Sequence, residues 1–258
     1  MLQRIKARLR NPFRPAGPAA LASLTEVDQG VPVITLGSRY GGWTLPESAL
    51  SPESRCYLFG AGEDISFDIA LIRKFGAEVH VFDPTPRAKT HVDGLIEATQ
   101  SGQTFPVNGA PDLNYDIETK DLANLHFHPI GIWSKAEKLR FYAPANPDHV
   151  SHSAVNLQNT NSYFEADVQP LDQLMRELGH SLPDLVKLDV EGAEYEALSA
   201  MLAADLLPNH LLVEFDEGNQ PLDHGAPDRI LAQIEALRIA GYRVIHLSGW
   251  NACFLRMG

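Results

Sequence analysis

The stretch LVKLDVEGAEYEAL (residues 185–198) determines the fold class of this 258-residue chain, because it joins a short strand to a turn and a helix and carries charges within the strand. Side chains alternate along a strand, so Val186 and Leu188 face one side while Lys187 and Asp189 face the other. A central parallel strand is normally apolar on both faces, and a buried charge is costly unless it is paired. We therefore interpret the two charged residues as part of a functional site.

Strands and helices alternate on both sides of this stretch. Strands are expected at 55–60, 78–83, 124–133, 184–190 and 210–216, with an accessory strand at 138–144. Helices are expected at 64–76 and 87–100, before Gly179, from 194 onward and at 228–241. The C-terminal segment reads as two strands around a Ser-Gly turn. The pattern predicts an α/β fold: a Rossmann-like, doubly wound, mostly parallel seven-stranded sheet with a C-terminal antiparallel hairpin.

The charge, the cysteine content and the apolar runs of the chain restrict the classes of function that it can have. The chain has 21 Lys and Arg against 33 Asp and Glu, a formal net charge of -12, which disfavours a nucleic-acid partner. Its two cysteines point to a reducing compartment, so we expect a cytoplasmic protein. No apolar run approaches the roughly 18–20 residues that span a bilayer, so no transmembrane segment is expected.

The basic N-terminus is set apart from the acidic remainder. We divide the chain into residues 1–54, comprising a basic helix, a proline-containing linker and a hairpin, and residues 55–258, the ligand-binding domain. The helix is interpreted either as a membrane-surface or partner-binding element or as a packed or frayed terminus. Residues 1–54 are also a candidate homodimer contact.

The glycine loop, FGAGEDISFD (residues 59–68), follows the first core strand. Glycine there lets backbone N–H groups approach a ligand, although an ordinary strand–helix turn is the alternative. A dinucleotide-binding loop would have a third glycine where this chain has Ile65. Glu63 and Asp64 place negative charge where a pyrophosphate would lie. The loop therefore favours a cationic ligand such as S-adenosylmethionine over a nicotinamide dinucleotide.

Asp83 ends the second core strand, 21 residues after Gly62. An acid at this place and spacing typically accepts hydrogen bonds from ribose hydroxyls. The alternative is a helix N-cap before Pro84. Both the glycine loop and Asp83 would lie at the carboxyl edge of neighbouring strands, which favours the ligand-binding interpretation.

Four motifs together identify a family resemblance. VKLDVEGAEYEAL, FGAGEDISFDIAL, VHVFDPTPRA and LLVEF resemble blocks of the FkbM family of S-adenosylmethionine-dependent methyltransferases, in a subgroup with the GxGEDISFD form of the glycine loop. Gly62 and Ser66 stand where the commoner form has Gly-Ala-Asn and a second glycine. The resemblance implies a methyltransferase-type sheet and a cofactor site formed by Gly60, Ala61, Gly62, Glu63, Asp64, Ser66, Asp83, Pro84, Gly131, Ile132 and Asp189.

The candidate catalytic residues are His152, Asp189, Glu214 and Lys187. His152, in the polar loop at 148–159, is the first candidate general base, ahead of its neighbour His149; solvated loop histidines are the alternative. Asp189 and Glu214 are the second candidates. For Lys187 the alternative is a structural ion pair with Glu214.

A divalent metal ion held by Asp189, Glu214 and Asp216 is an alternative that the pattern does not favour, since an ion pair with Lys187 accounts for the same acids. No metal ligand is therefore assigned.

The expected activity is S-adenosylmethionine-dependent methylation of a hydroxyl on a sugar, glycan or natural product, with a small-molecule or glycan acceptor as partner. Two alternatives remain open: a nicotinamide-dependent oxidoreductase, and a non-catalytic binding protein on the same scaffold.

Overall fold

The computed structural model describes residues 21–22, 25–144, 152–156, 160–219 and 221–257. The predicted basic helix near the N-terminus lies outside the described residues, as does His149. The division of the chain at residue 55 stays a prediction.

The described strands are β1 (Val33–Leu36), β2 (Trp43–Pro46), β3 (Arg55–Phe59), β4 (Glu78–Phe82), β5 (Pro106–Val107), β6 (Ala110–Asn114), β7 (Leu125–His128), β8 (Gly131–Ile132), β9 (Glu137–Tyr142), β10 (Tyr163–Gln169), β11 (Leu185–Leu188), β12 (His210–Glu214), β13 (Tyr242–Ser248) and β14 (Asn251–Arg256). The described α-helices are α1 (Ser66–Phe75), α2 (Pro86–Gln100), α3 (Leu171–Leu178), α4 (Glu194–Ala203) and α5 (Ala226–Ile239). Short 3-10 helices cover Thr119–Asn124 and Asp216–Gly218.

The main sheet has seven strands in the order β13-β14-β12-β11-β3-β4-β7. Neighbours from β12 to β7 pair in parallel, and β14 pairs antiparallel with both β12 and β13. The predicted doubly wound, mostly parallel seven-stranded sheet with its C-terminal hairpin is therefore confirmed.

The strands β3 and β11 lie far apart in the sequence but pair in parallel at the centre of the sheet. From β3 the following strands are added on one side, and from β11 they are added on the other. Chain connections leave this point in opposite directions, so a crevice opens at the carboxyl ends of the two strands. All four residues of β11 are buried, as expected for the centre of a parallel sheet.

Two apolar layers cover the faces of the sheet. The layer with α1 and α2 also takes in Trp43 and Leu45 of β2. The other layer is built with α3, α4 and α5 and contains Val186 and Leu188 of β11. The predicted alternation along β11 therefore holds: two apolar side chains enter one layer, and Lys187 lies on the opposite face.

Three local expectations need correction. The strand predicted at 124–133 is two strands, because Pro129 lacks the N–H that would continue the ladder. The second of these strands, β8, leaves the main sheet and pairs with β10 in a separate three-stranded sheet that also contains β9. The region 101–121, for which no helix or strand is predicted, contains the small β5–β6 hairpin. β10 was not anticipated, because only Val168 in it is fully buried.

The two cysteines, Cys56 and Cys253, are free and buried. None of the helices in the described ranges is both long and apolar enough to cross a membrane.

Candidate active site

A cavity of about 400 Å³ opens at the carboxyl edge of β3, β4, β11 and β12. Its size falls in the range of small-molecule sites. The loops after these four strands line it, together with Tyr40, Gly41 and Trp43 from the β1–β2 hairpin. Gly131, Ile132 and Phe141 of the second sheet also contribute.

The cavity brings together nearly all the residues predicted from the sequence. Lining it are Gly60, Ala61, Gly62, Glu63, Asp64, Asp83, Pro84, Gly131, Ile132, His152, Lys187, Asp189 and Glu214. Ser66 is the exception. Its hydroxyl accepts a 2.6 Å hydrogen bond from the N–H of Ser38, and its own N–H donates to Asp64. The geometry therefore does not support its predicted contact with the cofactor.

The glycine loop turns sharply against the end of β11. Gly60 has φ 86°, and a Cβ at this position would lie 1.7 Å from the carbonyl oxygen of Asp189. Both the backbone conformation and the close approach exclude a side chain. The loop and the end of β11 therefore form one continuous wall of the cavity.

Asp83 holds the glycine loop through hydrogen bonds to the chain itself. Its Oδ2 accepts from the N–H groups of Ala61 at 2.9 Å and Gly62 at 3.0 Å. Its Oδ1 accepts from the N–H and hydroxyl of Thr85 at 2.8 and 2.6 Å. Thr85, and not Asp83, caps α2. The sequence interpretation of Asp83 as a ribose contact did not anticipate this internal role.

The two acids of the glycine loop are also anchored. Glu63 accepts hydrogen bonds from Arg87 at 3.0 and 2.8 Å and from Asn108 at 2.8 Å. Asp64 accepts a 2.5 Å bond from the hydroxyl of Ser38, in the turn between β1 and β2. Both carboxylates are therefore held in fixed positions beside the cavity, and Arg87 offsets the charge of Glu63.

Lys187 is a buried residue of the cavity lining. Its ammonium donates to the carbonyl oxygen of Gly60 at 2.8 Å and lies 3.0 Å from Asp189 Oδ2 and 5.4 Å from the centre of the Trp43 ring. The closest ion-pair partner is thus Asp189, not Glu214. Burial lowers the pKa of Lys187, but Asp189 and Asp68 outweigh this effect and raise it overall. The side chain stays protonated and does not qualify as a base.

Carboxylates crowd the other side of the cavity, after β11 and β12. Burial raises the pKa of Glu214 to about 8, helped by Asp189 and Glu191. Burial raises the pKa of Asp216 well above its usual value, with Glu194 as the next cause, and burial also raises that of Glu194. Among the described residues lining the cavity, Lys187 is the only lysine or arginine. The site therefore favours a cationic ligand.

Three acids near the cavity were not assigned to the site from the sequence. Glu191 has φ 51°, an uncommon conformation for a residue with a side chain. Glu194 is fully buried at the start of α4. Asp68 is buried on α1, where its charge acts on Lys187. The sequence did carry a signal for Asp68, because it is an acidic residue between Phe67 and Ile69 in a helix that is otherwise apolar there.

His152 reaches the cavity from the loop before β10. Its ring packs edge-to-face on Phe164, with ring centres 5.3 Å apart. The neighbouring Ser153 hydroxyl donates to the carbonyl oxygen of Glu191, which ties this loop to the end of β11. All three predicted base candidates, His152, Asp189 and Glu214, therefore line the same cavity.

Comparisons with known proteins identify the type of domain. The family model of the methyltransferase FkbM domain matches residues 60–244. Among solved structures, the chain is similar to the Methanococcus jannaschii fibrillarin pre-rRNA processing protein, with 12% identity over 81% of this chain and 68% of that chain and a TM-score of 0.41. It is also similar to precorrin-6y C5,15-methyltransferase from Geobacter metallireducens, with 13% identity over 81% of this chain and 82% of that chain and a TM-score of 0.40.

A third similar structure is Aeropyrum pernix fibrillarin with natively bound S-adenosyl-L-methionine, with 11% identity over 81% of this chain and 68% of that chain and a TM-score of 0.40. No curated protein matches the chain in sequence.

Proposed function

We propose, because the chain belongs to the family of methyltransferases with the FkbM domain, that it transfers the methyl group of S-adenosylmethionine to a hydroxyl of a small-molecule or glycan acceptor. Family and fold support S-adenosylmethionine-dependent methylation. The acceptor class and methylation on oxygen follow from the resemblance to the FkbM family and are part of the proposal.

The single observation that carries the proposal is the acidic lining of the cavity. S-adenosylmethionine bears a sulfonium and an ammonium, and the acids after β11 and β12 face the cavity with Lys187 already paired to Asp189. Phe82, Pro84 and Ile132 offer an apolar surface beside this acidic wall. The cavity thus combines the two surfaces that an adenosyl group with a cationic tail requires.

When bound, the cofactor supplies an electrophilic methyl group. The residues of the chain must then orient the acceptor oxygen and take its proton. Holding two reactants at reacting distance can lower a barrier by about 7–11 kcal/mol. A general base contributes a further 10²–10⁴-fold, in rough terms, where the acceptor is an unactivated alcohol.

Glu214 is our first candidate for that base. It lines the cavity, and its raised pKa of about 8 makes it a better proton acceptor than an ordinary carboxylate. Asn219 Nδ2 donates to Glu214 Oε1 at 3.3 Å and orients the carboxyl. This order reverses the sequence expectation, in which His152 came first; His152 becomes the second candidate.

Asp189 and Lys187 are positioning residues in this proposal. The ion pair between them holds the Asp189 carboxylate at the cavity wall, where it can contact the cationic part of the donor. Lys187 also fixes the carbonyl of Gly60.

We propose residues 1–54 as a homodimer contact and the cytoplasm as the location of the protein.

The test is calorimetric titration of the purified protein with S-adenosylmethionine, S-adenosylhomocysteine and NAD, followed by an acceptor screen. We expect micromolar binding of the first two ligands and none of NAD, and release of S-adenosylhomocysteine in the presence of hydroxylated acceptors such as sugars. Asp189→Asn should weaken donor binding, whereas Asp167→Asn, an exposed acid of β10, serves as the matched control.

Binding of NAD alone would favour the oxidoreductase. Donor binding without turnover of any acceptor would favour the non-catalytic binding protein.

A further inference from the structure

A second cluster of polar side chains lies on β4 and β7, outside the lining of the cavity. Glu78 and His80 alternate on β4, and His126 and His128 alternate on β7. The two strands pair in parallel, with His80 opposite His126. Because alternate side chains of a strand share a face, this register places all four on one face of the sheet. Along β4, Glu78 stands five residues, or about 16 Å, before Asp83.

Three of these side chains point at a common space. Glu78 Oε1 lies 3.3 Å from His80 Nε2 and 3.5 Å from His126 Nε2. Ligand atoms of all three residues lie within 4.8 Å of one another, the one such three-residue cluster of His, Cys, Asp or Glu within the described ranges. Two ligands about 2.0–2.1 Å from a tetrahedral ion stand about 3.3–3.4 Å apart, so the two short distances already match.

The surroundings orient the ligands. Arg55 Nε donates to Glu78 Oε2 at 2.8 Å, which leaves Oε1 toward the histidines. His80 Nδ1 and His128 Nε2 are hydrogen-bonded at 2.9 Å. The other ring nitrogen of His80, Nε2, is buried and faces Glu78 Oε1 at 3.3 Å without a hydrogen bond of good geometry. A metal-binding histidine characteristically has this arrangement, with one nitrogen held by a neighbour and the other directed at the ion.

The cluster is accessible from solvent on one side. The side chains of Glu78 and His126 are 33% and 38% exposed, whereas that of His80 is 5% exposed. An ion can therefore reach the site from solvent, while one ligand remains fixed in the protein.

We propose that Glu78, His80 and His126 form a binding site for one divalent transition metal ion of the Zn²⁺ class. Two imidazoles and one carboxylate suit Zn²⁺, Co²⁺, Ni²⁺ or Cu²⁺ and not Mg²⁺ or Ca²⁺, which prefer oxygen ligands alone. The three side chains leave one position for water. Bound metal joins the edge strand β7 to β4. The site shares no residue with the cavity, so the proposal does not depend on the proposed function.

The experiment uses the full chain without an affinity tag, stripped with a chelator and dialysed. Titration with zinc chloride is followed by calorimetry, and Co²⁺ binding by its visible absorption. We expect one equivalent of Zn²⁺ bound with micromolar or tighter affinity, a Co²⁺ spectrum of a four-coordinate site, and a higher Tm with Zn²⁺ present.

His126→Gln and Glu78→Gln should each weaken Zn²⁺ binding at least tenfold and remove the rise in Tm. His246→Gln is the matched control, since His246 is a partly buried histidine on β13 away from the cluster. Unfolding curves of the metal-free proteins show whether each variant is folded. If Glu78→Gln is unstable, His126→Gln still tests the site, because the His126 side chain is partly exposed. Absence of Zn²⁺ binding by the wild type, or equal binding by all variants, would overturn the proposal.

Discussion

The backbones of Gly60 and Asp189 are in direct contact, so closely that a Cβ on Gly60 would lie 1.7 Å from the Asp189 carbonyl oxygen. Lys187 reinforces the contact by bonding the Gly60 carbonyl at 2.8 Å and the Asp189 carboxylate at 3.0 Å. The glycine loop and the acid after β11 are therefore a single unit. A change at any of these three residues should alter both stability and ligand binding.

Gly60→Ala should be strongly destabilising. The left-handed conformation costs a residue with a side chain about 1–2 kcal/mol, and the contact with Asp189 adds a clash that only backbone movement relieves. We expect a loss of more than about 2 kcal/mol in urea unfolding, together with loss of donor binding. Gly102→Ala is the control, since Gly102 has φ 68° but nothing within 4 Å of the added Cβ. Equal losses in the two variants would contradict the packing argument.

Asp83→Asn should destabilise the protein even without a ligand. The amide group replaces one acceptor oxygen with a donor, so N–H groups of the glycine loop or the donors of Thr85 lose their partner. An unsatisfied buried donor costs about 1–3 kcal/mol. Asp93→Asn, on the exposed face of α2, should cost at most about 0.5 kcal/mol in the same unfolding measurement. A residue that only contacts ribose would leave ligand-free stability unchanged.

Asp68 should make stability depend on pH. Burial raises its pKa from the usual 3.8 to about 6, so the folded state binds this proton more tightly than the unfolded state. Its contribution to stability is full below pH 3.8 and is lost as the pH rises through about 6. Between about pH 5 and pH 7.5, the wild type should lose about 1 kcal/mol relative to Asp68→Asn. If the unfolding free energies of the two proteins changed with pH by the same amount over this range, Asp68 would not titrate as described.

Glu214→Gln should reduce kcat by about 10²–10⁴-fold and change the donor KM much less. Since the carboxyl must lose its proton to act as a base, wild-type kcat/KM should rise with pH and level off above about 8. The variant should lack this dependence. Glu165→Gln, an exposed change on β10, is the control. If instead His152→Gln produces the larger loss and removes the pH dependence, His152 is the base.

Donor binding should release protons at about pH 7.5. Glu214, whose pKa is about 8, is mostly protonated in the free protein, and a nearby cation lowers that pKa. Calorimetry in buffers of different ionisation enthalpy should detect a fraction of a proton released with S-adenosylmethionine and less with S-adenosylhomocysteine, which lacks the sulfonium. Unchanged proton release by Glu214→Gln would assign the effect to another acid.

Much of the architecture could be predicted because its signals are local. The alternation of apolar runs and amphipathic segments predicted the five parallel strands and the terminal hairpin. Gly60, Gly62, Asp83 and Asp189 could be assigned to one site because each follows a strand, and the carboxyl ends of parallel strands meet at one edge. The family blocks supported the same assignment. β10 was missed because its exposed residues alternate with side chains that are only partly buried, and Val168 alone is fully buried.

By itself, then, the sequence determined the sheet, the edge at which the cavity opens and many of the residues that line it. The tertiary structure decided the role of each one. Asp83 holds backbone amides, Lys187 pairs with Asp189, and Asp68 acts on Lys187 from a neighbouring helix. The metal-ligand cluster likewise exists only through the pairing of β4 with β7. Hydrogen bonds, ion pairs and pKa shifts depend on distance and burial between residues far apart in the chain, and only folding sets these quantities.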